Sequence, residues 1–285
     1  AAAVINYGAA SVEALAAENA NEPTKKVVYM ESAIHTDGYF TETDNSFFFF
    51  FEGSKKDPYI ISTPKQLYHI VKGMNENNTA DKYFKVDPSV DVFVLQTKSY
   101  MDAKGGLDAF MKLDAQGVKD FFDTNTTGRG RWMANSNFKG NIDFSGVHIV
   151  GMYTSSFGMI NLVHIGASFK DVTMSHCYNI SGDYSGTIAG RLHNPDGDTG
   201  TPGTVTFDKI ALYNNYQENT GNNGYARTGV LFGASTGATC VEWSNLLVYD
   251  NIAKGRKSSS DKTMMDCALV GSYTTGWSGQ NNDPK

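Results

Sequence analysis

The sequence predicts a mainly β protein built as a solenoid, a parallel β-helix with an N-terminal α/β cap region. Three observations predict it. From Phe138 to Gly190, short apolar runs alternate with Gly, Ser, Asn and Asp, and no run is long enough for a helix. Apolar residues at i, i+3 and i+5 recur as Phe169, Val172 and Met174, then Phe207, Ile210 and Leu212, then Trp243, Leu246 and Val248. A small apolar element follows each run and closes on glycine, at Gly186–Gly190, Gly229–Gly233 and Cys267–Gly271.

The three runs follow one another at nearly even intervals, from Phe169 to Phe207 to Trp243, and so do the closing glycines, from Gly190 to Gly233 to Gly271. The last two apolar positions of each run suit one face of a strand, with the aromatic across the preceding turn. Glycine at a strand end permits a sharp corner with positive φ. One such unit cannot bury its own apolar face, so neighbours must stack on it. A β-sandwich of short strands with glycine turns is the alternative. The recurrence of the same two elements in the same order favours stacking.

The stretch from Trp132 to Met152, with Ser155–Ile160, Ala167–Met174 and Ser185–Gly190, resembles the GLUG-type bacterial surface proteins. Upstream, the segment Tyr59–Leu67 resembles the ISTPEQL piece that often precedes their repeats. The likeness runs from about Tyr59 to Gly271. It departs where a Gly-Asn-Gly-His turn is usual, since the chain has Asp143 to His148 there, and it carries an insertion between Phe93 and Trp132. The resemblance implies a right-handed β-helix on a secreted or wall-attached protein, often an adhesin. It brings no catalytic residues with it.

Three regions follow from this reading: residues 1–57, of unclear role; residues 58–131, a cap and insertion region; and residues 132–285, the β-helix repeats. In the first, Ser11 caps a short helix with Glu13 and Glu18 outward. Lys26 to Met30 reads as a strand. The five aromatics Phe47–Phe51 read as a buried central strand, because leaving them exposed would cost roughly several kcal/mol. Thr63 and Pro64 start a helix over 63–75 with apolar residues at Leu67, Ile70, Val71 and Met74. It is expected to cover the open end of the stack. Residues 83–86 and 90–95 read as strands, 107–111 and 118–122 as helical turns split at Gly117, and 125–130 as loop. The insertion from Gln96 to Arg131 is a place for specificity, since loops on rigid scaffolds often carry it.

Charged residues make up only 19% of the 285, and the formal net charge is −6. That balance argues against nucleic acid, which needs a basic surface, and gives no pull toward anionic lipid. No segment reaches the length of a membrane-spanning helix. Cys177, Cys240 and Cys267 are too few for a disulfide scaffold and lack metal spacing, and Cys267 reads as a buried thiol. The chain begins on Ala1 without a leader pattern, and is read as a mature product or a piece of a larger surface protein.

Candidate chemistry is sparse. Asp171 and Asp208 are the carboxylates that could serve glycoside hydrolysis from neighbouring strands, although an Asp beside a strand more often fills a turn. Asn194, Asp196 and Asp198 are hard oxygen donors suited to Ca²⁺, but Pro195 and Gly197 make the same loop an ordinary turn. His148, His164, His176 and His193 have no metal spacing and no nucleophile turn beside them. Tyr178, Tyr184, Tyr213, Tyr216 and Trp277, with Tyr225 and Tyr273 nearby, sit in or beside polar loops where aromatic rings can stack on sugars. Glycosylation sequons occur at Asn77, Asn125 and Asn179.

The function this reading supports is a non-enzymatic, extracellular or cell-surface binding or structural module, adhesin-like, presenting loops to a glycan or a host or matrix component. It expects no cofactor beyond Ca²⁺. The alternatives are a carbohydrate-active lyase or hydrolase on the same scaffold, and a viral or phage spike component.

Overall fold

The repeat read from the sequence is a strand register. In a computed structural model of the chain, Phe169 lies opposite Phe207 and Phe207 opposite Trp243; Val172, Ile210 and Leu246 align likewise, as do Met174, Leu212 and Val248. The structure describes residues 25–31, 38–134, 137–182, 184–197, 200–220 and 227–255. The Ser11 helix, Asp198, Tyr225, Cys267–Gly271, Tyr273 and Trp277 lie outside the described residues.

The i, i+3 spacing has a conformational cause. Strands Ser168–Ser175, Gly203–Tyr213 and Thr239–Tyr249 each contain one residue with positive φ, at Asp171 (61°), Lys209 (53°) and Asn245 (53°). A left-handed residue resets the two-residue alternation, so Phe169 and Val172 reach the same core although three positions apart. The bend therefore lies inside one strand, where the sequence pattern suggests a turn before it.

The expected right-handed β-helix behind a separate α/β cap is corrected here. The chain is mainly β with few helices, built on a nine-stranded parallel sheet of which seven strands follow a curled, half-barrel path, with smaller parallel sheets beside it. Asn141–Asp143 pairs with the first half of Ser168–Ser175, and His148–Val150 with its second half. From there the sheet forks. One arm runs through Tyr83–Val86 to Tyr59–Ile61, the other through Val92–Thr97 to Val27–Met30. Segments assigned to a cap thus supply strands of the main sheet. The sequence repeat spans only its last three long strands; the others are short pieces joined by helices and crossovers, with no shared pattern to mark them as one sheet.

A second sheet holds Tyr153–Thr154, Tyr178–Ser181, Tyr216–Asn219 and Ile252–Lys254. A third holds Asn137–Phe138, Ile160–His164, Ala189–His193 and Phe232–Thr236, and a two-stranded piece joins Tyr184–Ser185 to Arg227–Thr228. The closing glycines Gly190 and Gly233 serve close approach rather than positive φ. A Cβ on Gly190 would sit 2.9 Å from the Asn161 carbonyl oxygen, and one on Gly233 2.8 Å from the Gly190 carbonyl oxygen, and neither glycine has positive φ.

Core aromatics stack in a file through Phe84, Phe138, Phe169, Phe207 and Phe232, with centroids 5.4 to 6.2 Å apart. Where the long strands end, Asn215 replaces packing with hydrogen bonds: its Nδ2 donates to the Met174 carbonyl (3.0 Å), and its Oδ1 accepts from the Cys177 amide (3.0 Å). Cys177 is a free, buried thiol whose pKa is pushed up to about 12 by desolvation, while Cys240 is free and exposed.

Helix Pro64–Gly73 forms as expected. Thr63 Oγ1 accepts from the Gln66 amide and the Gln66 side chain accepts from the Thr63 amide, a capping box that contributes about 1 kcal/mol. Its Tyr68 packs on Trp132 and donates to the Phe40 carbonyl at 2.9 Å. The run Phe47–Phe51 is not a strand. Ser46–Phe49 is a 3₁₀ turn whose side chains radiate, so Phe47 is buried while Phe49 and Phe50 are 78% and 79% exposed. Gly117 does not split a helix either; it lies within Ala115–Thr124, where its amide donates to the capping Asp114 Oδ1 at 2.7 Å. Among the described residues no helix is long and apolar enough to cross a membrane.

Candidate functional site

The carboxylates put forward for catalysis act at bends. Asp171 is the left-handed residue of its strand, and Asp208 pairs with Lys170 rather than with Asp171. Asp208 Oδ1 accepts from Ser244 Oγ (2.6 Å) and Asn245 Nδ2 (2.9 Å), which hold its carboxyl below the ordinary range. A general acid for glycosidic cleavage needs the opposite shift.

Asn194 is buried and its amide is committed to its own loop. Nδ2 donates to the Thr201 and Ala238 carbonyls (2.9 and 3.0 Å), and Oδ1 accepts from the Asp196 amide at 3.0 Å. This is an Asx turn, the ordinary reading of that loop. Asp196 is exposed. Among the described residues no three His, Cys, Asp or Glu side chains converge as metal ligands.

The histidines, far apart in sequence, meet in pairs. His148 Nε2 lies 2.7 Å from Ser175 Oγ, and Ser175 Oγ 2.7 Å from His176 Nδ1; His176 Nε2 donates to the Leu113 carbonyl at 2.9 Å. That last bond fixes the tautomer. His176 Nδ1 accepts the Ser175 hydroxyl proton, and His148 Nε2–H donates to Ser175, with Tyr213 Oη 3.3 Å from the same nitrogen. Burial keeps both rings neutral: desolvation lowers the pKa of His176 and lowers that of His148 to about 4. Ser175 and His176 are fully buried, so the chain fastens the insertion to the sheet and offers no nucleophile to solvent. His164 and His193 meet edge to face at 5.7 Å.

The loop tyrosines divide. Tyr178 and Tyr216 are buried beneath helix Ala115–Thr124, Tyr178 against Phe122 at 6.2 Å, so their rings serve packing rather than a loop surface. Tyr213 stacks on the partly exposed Tyr249 at 5.0 Å. Of the sequons, Asn179 is fully buried.

Tyr184 is buried as well, but at a different kind of place. It pairs directly with Arg227, and the guanidinium groups of Arg191 and Arg227 lie 5.4 and 5.9 Å from its ring centroid. All four ion pairs among the described residues use lysine, so neither arginine has a carboxylate partner there. Arg191 is close enough to His193 for its charge to add to desolvation in lowering that ring's pKa.

Behind the corner lies a buried polar layer of Asn179, Ser181, Ser185, Thr187, Gln217, Asn219 and Thr228. Asn179 Nδ2 donates to the Gly186 carbonyl (3.1 Å), Ser181 Oγ to the Tyr184 carbonyl (3.0 Å), and Gln217 Nε2 to Thr187 Oγ1. Three buried atoms here, Asn179 Oδ1, Thr228 Oγ1 and Arg227 Nε, have no hydrogen-bond partner among the described residues. Each such atom costs about 1–3 kcal/mol unless something completes it. The corner can therefore hold an anion on two guanidinium forks packed on a buried ring. The loop tyrosines led the sequence reading to Tyr184 but not to the arginines. A signal existed, since arginine supplies only a small minority of the 24 basic residues, and two of those few meet here.

No protein-family model, curated protein or solved structure matches the chain.

Proposed function

We propose that the chain is a non-enzymatic binding module of an extracellular or cell-surface protein, and that the corner of Tyr184, Arg191 and Arg227 holds an acidic glycan. The observation that carries this reading is the pair of guanidinium groups over one tyrosine ring, without a carboxylate partner among the described residues, in a chain of net charge −6. A uronate carboxylate accepts two parallel N–H bonds from an arginine fork, and the Tyr184 ring holds the guanidinium groups in place. The resemblance to GLUG-type surface proteins and the low content of charged residues support the same setting.

Titration calorimetry with polygalacturonate, and with dextran as the neutral control, tests it. The acidic polymer binds and dextran does not. Arg191→Ala and Arg227→Ala each weaken binding by about 10- to 100-fold, the worth of a charged hydrogen bond. Equal binding of dextran, or unchanged affinity in the double variant, refutes the corner as the site. New reducing or unsaturated chain ends would make the protein an enzyme.

A further inference from the structure

Four of the chain's five arginines stand in two pairs, each pair around one tyrosine ring: Arg191 and Arg227 at Tyr184, and Arg129 and Arg131 at Tyr153. The second pair ends the insertion that runs from Gln96 to Arg131, the stretch whose sequence suggests specificity.

The two ends of that insertion meet. Gln96 is fully buried, its Oε1 accepts from the Gly130 amide (2.9 Å), and its Nε2 donates to the carbonyls of Gly130 (2.8 Å) and Gly151 (3.1 Å). The next residues are pinned as well. The Arg131 amide donates to the Gly38 carbonyl (2.8 Å), the Arg131 carbonyl accepts from the Phe40 amide (3.2 Å), and the Trp132 amide donates to the Tyr153 carbonyl (2.7 Å). Gly130 leaves room for the Phe40 ring, which a Cβ would approach to 2.0 Å. On this fixed backbone Arg129 and Arg131 are two residues apart, and alternate residues of an extended chain share a side. Both reach Tyr153, with guanidinium carbons 3.7 and 5.9 Å from its ring centroid.

The ring is itself buried against Phe122 and Tyr178, so it positions the cations rather than offering a face. Both arginines are partly exposed. Arg129 donates to the Phe122 carbonyl and Arg131 to Tyr39 Oη at 3.2 Å. Each guanidinium carries five N–H donors, more than these bonds use. Two cations gathered at one ring repel each other, and an anion between them relieves that repulsion.

We propose that Arg129 and Arg131 form a second anion site, for a carboxylate or sulfate group, with Gln96 and Tyr153 as its positioning residues. The site does not depend on the Tyr184 corner. An arginine fork matches either group, because both present paired oxygens to its parallel N–H bonds.

Phenylglyoxal labelling of the full chain, followed by peptide mass mapping, tests it with each arginine read separately. Sodium sulfate, sodium galacturonate and polygalacturonate are compared with sodium chloride at equal ionic strength, which removes general screening. The expected result is that sulfate or a galacturonate probe slows labelling of Arg129 and Arg131 together by at least threefold over chloride. Protection by sulfate or the monomer assigns the site to a free anion, and protection by the polymer alone to a polymer-borne carboxylate. The same map reads Arg191 and Arg227, so failure of one site leaves the other visible. Labelling that is equal in all four salts overturns the proposal. So does the absence of labelling at both residues in chloride, which would mean that the chain itself occupies them. Arg131→Lys keeps the charge but loses the planar fork, and it abolishes the protection of Arg129. Undiminished protection of Arg129 in that variant overturns the pair as the unit of binding.

Discussion

Gly186→Ala destabilises the protein by roughly 3 kcal/mol or more, the upper end of overpacking costs. A methyl group there falls 2.5 Å from Phe232 Cα and 2.9 Å from the Leu231 carbonyl oxygen, both backbone atoms of the neighbouring chain segment. Neither moves without opening the pairing between Ala189–His193 and Phe232–Thr236. Gly182→Ala is the internal control, since nothing lies within 4 Å of its Cβ position and its backbone does not need glycine. It changes stability by about 0.5 kcal/mol at most. Urea unfolding of both variants checks the pair. Equal midpoints would mean that the strands separate freely at Gly186.

Acid weakens the protein between about pH 6.5 and pH 4 through His148. Burial, with the neighbouring His176 and Lys25 adding, lowers the folded-state pKa of His148 to about 4, against an ordinary value of 6.5. The neutral ring is therefore the one the fold accepts, and its contribution is fully present above pH 6.5. As pH falls, the unfolded chain takes up the proton first, and stability drops until the folded pKa is passed. The loss is on the order of 3 kcal/mol, from about 1.4 kcal/mol per pKa unit. His176, also lowered, acts in the same direction. His148→Gln keeps a polar partner for Ser175 and removes the titration, so its unfolding midpoint should vary less with pH over this window. A slope equal to that of the parent protein would place the acid sensitivity elsewhere.

Part of the architecture is legible in the residues. Parallel strands in register put like residues beside like, so the stack of Phe169, Phe207 and Trp243 is written as a repeat. The start of helix Pro64–Gly73 is equally plain, because Thr63 and Pro64 act locally. The N-terminal strands carry no such mark of belonging to one sheet, because Val27 pairs with Val92 and Tyr83 with Asn141 across helices of unrelated sequence. A shorter period is also present but faint: Tyr153 and Tyr178 are strand neighbours, and so are His164 and His193. Phe47–Phe51 misleads because composition says that five rings want burial but not that a 3₁₀ turn points them in different directions. At the site, Tyr178 and Tyr216 look like loop aromatics until the insertion helix covers them. Arg191 and Arg227 are distant in sequence, and only the pairing of Tyr184 with Arg227 brings them to one ring.

The all-parallel pairing also sets how the chain can reach this state. No described strand pair is a hairpin, and even the close partners Tyr59 and Phe84 are separated by a whole helix and its connections. Joining Phe169 to Phe207 closes a long loop before any contact repays it. A loop of about 40 residues carries an entropy cost of about 3 kcal/mol beyond the constant term. Local segments therefore have little to nucleate on. A strand is stable only against a neighbour already in place, and the fold grows outward by templating. Refolding in stopped flow is expected on the slow, millisecond-to-second side, as for other chains dominated by distant pairings. A microsecond phase carrying the full amplitude would contradict it.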